Sequence, residues 1–80
     1  MRGELVVVRS FGDRPLVRRV WSFDDAEVYI SSEVEFQKLA AGEDALSPVG
    51  FRREDVFEYS ASVDVESVDS WPELKQWQAT

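Results

Sequence analysis

Residues 48–60 read PVGFRREDVFEYS. Pro48-Val49-Gly50-Phe51 suits a short extended piece. Arg52-Arg53-Glu54-Asp55 contains no apolar residue and suits one exposed helical turn. Beyond it, Phe57, Tyr59, Ala61, Val63 and Val65 alternate with Glu58, Ser60, Ser62 and Asp64. That is the period-2 pattern of a strand with one wet face. The stretch therefore predicts strand, turn, strand. Its two adjacent arginines fall where the chain reverses in the open, and a solvated turn explains them.

Upstream, Leu5-Val6-Val7-Val8 is a β-branched run that predicts a strand buried on both faces. Phe11-Gly12-Asp13-Arg14-Pro15 marks a turn. Leu16 to Phe23 predicts the next strand, with Val17, Arg19, Trp21 and Phe23 on one face and Leu16, Arg18 and Val20 on the other. Asp24-Asp25 predicts a second turn, and Ala26 to Ser31 a third strand with Val28 and Ile30 facing together, opposite Tyr29. Ser32 and Glu35 have the spacing of a capping box. Phe36, Leu39 and Ala40 then form a short helical stripe over 32–41. Gly42 is a natural helix stop, because it tolerates the left-handed conformation. Ser70 and Glu73 form a second capping box, with Pro72 tolerated in the first turn, and predict a C-terminal helix over about 70–79. Trp71, Leu74 and Trp77 are spaced along one side of it.

Gly50-Phe51, four polar residues and Val56-Phe57 resemble the end of an SH3-like barrel, where a glycine-led strand, a 3₁₀ turn and a last strand close the sheet. The resemblance covers about 15 residues and implies a small barrel. Arg53 stands where SH3 domains carry a ligand-binding proline, and Val56 where they carry a tyrosine. The N-terminal aromatic motif of the family is absent, so polyproline recognition does not come with the resemblance. An α+β roll with the helix on one face of a sheet explains the same pattern. The expected fold is thus α+β: a small, mostly antiparallel sheet or SH3-like barrel of four to five strands, one central short helix and one C-terminal helix. The 80 residues make one domain, with its core over about 4–66.

Composition narrows the function. The chain has no cysteine and no histidine, so thiolate zinc sites, disulfides and the usual neutral-pH proton shuttle are all missing. It has no Gly-rich phosphate loop. Carboxylate pairs can be chosen freely among 16 acids, so none is diagnostic. These features predict a protein that is not an enzyme and carries neither cofactor nor metal. Asp24, Asp25 and Glu27 could offer oxygen ligands, but aspartates also favour turns by bonding the local backbone. No apolar run approaches the roughly 20 residues of a membrane helix, and no signal peptide is evident, which predicts a soluble cytoplasmic protein. Seven arginines against two lysines point to a GC-rich, bacterial source.

The net charge of −7 repels phosphate backbones. Yet Arg9, Arg14, Arg18 and Arg19 lie close in sequence to Trp21 and Tyr29, and basic groups among aromatics can bind single-stranded nucleic acid. Arg9, Arg18 and Arg19 are therefore candidate anion-binding residues, with pairing to the chain's own acids as the competing explanation. Trp71, Leu74 and Trp77 are candidate partner-binding residues, or else they fill the core. Glu54 to Glu73 carries seven acids and no base, which is compatible with imitation of DNA toward a DNA-binding protein. The reading favoured by the sequence is a non-catalytic protein-interaction module with an unknown protein partner or a second copy. Nucleic-acid or nucleotide binding is the alternative.

Overall fold

The computed structural model describes residues 3–61 and 74–78. Among the described residues, five strands form one antiparallel, curled sheet, a half-barrel, with a single α-helix. The strands are β1 (Leu5–Ser10), β2 (Arg14–Phe23), β3 (Glu27–Ser31), β4 (Val49–Arg52) and β5 (Val56–Glu58), in the spatial order β4-β3-β2-β1-β5. The helix α1 (Glu33–Ala40) joins β3 to β4, and a 3₁₀ turn at Arg53–Asp55 joins β4 to β5.

β1 is buried on both faces, as its unbroken valine run predicts. Val6 and Val8 face the concave side with Val20, Val28, Ile30, Val56 and Trp77. Val7 faces the convex side, where it meets Leu74 and Phe57. Full burial of such a side chain contributes about 1.5–3 kcal/mol.

The alternation expected for β2 fails at one place. The register shifts between Val20 and Ser22, because Val20 pairs with Ile30 while Ser22 pairs with the adjacent Tyr29. One extra residue in a bulged strand reverses the inside-outside order downstream. Phe23 therefore pairs with Val28 on the concave face and packs edge-on against Trp77, with ring centroids 5.4 Å apart. Trp21 meets Phe36 of α1 instead, at 5.7 Å.

The helix begins and ends as the sequence dictates. Ser32 Oγ accepts the Glu35 N–H at 3.3 Å. The reciprocal half of the capping box is not made: Glu35 Oε2 instead accepts the Leu46 N–H at 2.8 Å, tying the loop to the helix. At the C-terminus, Gly42 has φ +75°, its N–H donates to Leu39 O, and Glu43 N–H donates to Lys38 O. That pair of bonds is a Schellman motif, which needs the left-handed residue that glycine supplies.

β4 carries Gly50 opposite Tyr29. A Cβ on Gly50 would lie 3.0 Å from the Tyr29 ring, so the absent side chain makes room for the aromatic to cross the strand. β5 differs from expectation. It ends at Glu58, and its deepest residue is Val56, inside the concave core, with Phe57 on the opposite face under Leu74. Both faces of this strand are covered, because the chain's own C-terminal segment packs on it. Tyr59 has left the sheet, and the expected continuation through Val63 and Val65 lies outside the described residues.

The helix expected over 70–79 is not formed in its described part. Residues 74–78 run extended beside β5: Phe57 bridges Gln76, Glu58 N–H donates to Lys75 O at 2.8 Å, and Trp77 N–H donates to Val56 O at 2.9 Å. A spacing of three puts two residues on one side of a helix but on opposite faces of an extended chain. Leu74 accordingly caps the convex cluster and Trp77 fills the concave one. Ser70, Trp71, Pro72 and Glu73 lie outside the described residues.

Candidate functional site

The concave face does not fill completely. Antiparallel partners share a face, so the register puts Leu16 and Arg18 of β2, Ile30 of β3, and Val49 and Phe51 of β4 on one inner wall. Together they line a groove of about 270 Å³. Ser32, which caps α1, Glu35 of α1, and Leu46 and Ser47 of the following loop also line it. Leu46 and Val49 stand at its rim, 73% and 57% exposed. β4 is also an outer strand of the sheet, and no described residue pairs with its far side. The opposite outer strand, β5, is covered by residues 75–77.

The four N-terminal arginines do not form one strip. Arg9 pairs with Pro15 and Arg19 with Leu5 on the convex face, whereas Arg14 pairs with Ser10 and Arg18 with Val6 on the concave face. Arg9 lies 4.0 Å from an Asp55 oxygen and over the Phe57 ring. Arg19 bonds Glu33 and donates to Gly3 O at 2.7 Å. Its guanidinium holds the Glu33 carboxyl below the ordinary carboxylate value. Arg18 donates to Val17 O at 2.9 Å, and neither it nor Arg14 has an acid partner among the described residues. Tyr29 donates its hydroxyl to Asp24 at 3.0 Å, and Trp21 packs on Phe36. Tyr29 is thus tied to the turn and Trp21 to the helix.

Asp24 organises the β2–β3 turn. Its Oδ1 accepts the N–H groups of Ala26 at 2.8 Å and Glu27 at 2.7 Å, and its Oδ2 accepts from Tyr29. These bonds, led by those from Glu27 and Ala26, hold the carboxyl below its usual value of 3.8. A depressed folded-state value means that the contribution is fully present above the unfolded value and is lost as pH falls through the folded one. Glu33 acts in the same direction. Wild type is therefore expected to lose more stability than Asp24→Asn between about pH 4 and pH 2. Urea titrations across that range check this, and parallel losses would refute it. Among the described residues no group of three acids could hold a metal ion.

The two arginines of the opening stretch have different fates. Arg52 is exposed and pairs with Glu54 at 3.2 Å and Asp55 at 3.5 Å. Arg53 is half-buried: Nε donates to Asp24 O at 2.8 Å, and the guanidinium lies over Phe23 and Trp77 at 5.5 and 5.9 Å. Gln76 donates to Arg53 O at 3.2 Å. Sequence reasoning missed this clamp, since its partners come from two distant segments, residues 23–24 and 76–77.

Leu74 and Trp77, at 8% and 2% exposure, are packed within their own chain. Among the described residues no helix is long and apolar enough to cross a membrane. No protein-family model matches this chain, and neither a curated protein nor a solved structure matches it at a significant level.

Proposed function

We propose that the protein is a non-catalytic protein-interaction module on an SH3-like barrel, acting in the cytoplasm. The barrel reading draws on the strand order β4-β3-β2-β1-β5 together with the 3₁₀ turn between the last two strands. The interaction reading rests on one observation. Of the two outer strands, β5 is covered by residues 75–77, whereas β4 is left without a neighbour among the described residues. An uncovered strand presents backbone donors and acceptors to an extended segment of another protein, and adjoining apolar positions select its side chains. Val49 and Leu46 supply such positions.

Val49→Lys places a charge on this edge without entering the core. The variant is expected to melt like wild type and to lose a protein that wild type retains from the native host, read by tagged capture and mass spectrometry. Equal capture by both would remove the edge from consideration. Tight binding of single-stranded DNA or RNA that weakens steeply with salt would favour the nucleic-acid alternative instead.

A further inference from the structure

In a chain with 16 acids and 9 bases, an arginine without an acid partner is unexpected. Among the described residues Arg18 is one, and it lines the concave groove. Leu16, Ile30, Leu46, Val49 and Phe51 make the rest of that groove largely apolar. Glu35 also lines it, but its carboxylate is engaged: Oε2 holds the Leu46 N–H at 2.8 Å and Oε1 lies 3.7 Å from Lys38 Nζ. The positive end of α1, at Ser32, forms part of the same wall.

We infer that the groove binds a small carboxylate with an apolar tail, the carboxylate on Arg18 and the tail along Ile30 toward Leu46 and Val49. From β4 to β2 is two strand spacings, about 10 Å, which suits a medium-chain tail. The volume of about 270 Å³ lies just below the range of pockets for drug-sized ligands and fits a small molecule. A guanidinium offers the carboxylate two parallel N–H donors, which a neutral headgroup cannot match in strength. The inference does not depend on β4 having a protein partner.

Octanoate is the probe, with octylammonium at equal concentration as the control, read by backbone amide shifts. Octanoate is expected to move amides 16–18, 30–32 and 46–51 saturably, and octylammonium to leave them in place. Arg18→Gln should weaken octanoate about tenfold or more, because a bond to a charged group is lost. Leu46→Glu, at an exposed rim position, should weaken it as well through charge repulsion. Circular dichroism confirms that each variant is folded. The inference is overturned if octanoate gives no saturable shifts, if octylammonium moves the same amides as strongly, or if Arg18→Gln binds octanoate like wild type.

Discussion

Replacement of Trp77 by alanine is expected to cost the fold about 3–5 kcal/mol. A core of this size has a margin of about the same amount, so the variant should be largely unfolded at room temperature. The indole is 2% exposed and belongs to the concave cluster, whose other members come from four strands. Its Nε1 donates to Glu4, Phe23 meets it edge-on, and Arg53 lies over its face. Its backbone N–H bonds Val56 O, so the indole sits on the segment that covers β5. Truncation opens a cavity in a cluster built mainly of valines, Val6, Val8, Val20, Val28 and Val56, whose β-branched side chains have little rotamer freedom with which to refill it. Denaturant unfolding of wild type and Trp77→Ala measures the difference. Because the ring is buried in its own chain, the wild-type midpoint should not depend on protein concentration. A loss below about 1 kcal/mol would show that the segment contributes little.

Local chemistry made much of this fold legible. The valine run of β1, the Ser32 cap and the left-handed Gly42 each depend on neighbours within a few residues, so their patterns survive in the sequence. Strand pairing is different. The extra residue at Trp21 looks like ordinary alternation until β3 is laid beside β2, and only then does Phe23 turn inward. Trp77 posed the same problem at longer range. Its spacing from Leu74 fits a helix side and two faces of an extended chain equally well, and the choice is made by β5, which has backbone groups to satisfy. A free helix of fewer than about 12–15 residues is marginal in water, whereas an extended segment gains ladder bonds at once. The groove was invisible for a related reason: it exists only because β2, β3 and β4 curl together, and Arg18 joins it through register.

The arginine pair supplies the second large effect and answers why two stand together. Arg53→Ala is expected to destabilise by about 1.5–3 kcal/mol, and Arg52→Ala by less than about 0.5 kcal/mol. Arg52 pairs in the open with Glu54 and Asp55, and exposed pairs of this kind contribute about 0–1 kcal/mol. Arg53 is bound on three sides. Its Nε satisfies the Asp24 carbonyl of the β2–β3 turn, its plane covers Phe23 and Trp77, and its own carbonyl takes the Gln76 amide. Removing the side chain strips the cover from Trp77 and loosens the turn that Asp24 holds. Arg53→Lys separates the two contributions: an ammonium keeps the charge but loses the planar stack, so it should recover only part of the loss. Thermal melts of the three variants decide the matter. If Arg52→Ala and Arg53→Ala fall together, the pair is a solvated turn and the clamp adds nothing. If Arg53→Ala alone falls, the 3₁₀ turn is the joint that fastens the β2–β3 turn, the end of β4 and the C-terminal segment to one core.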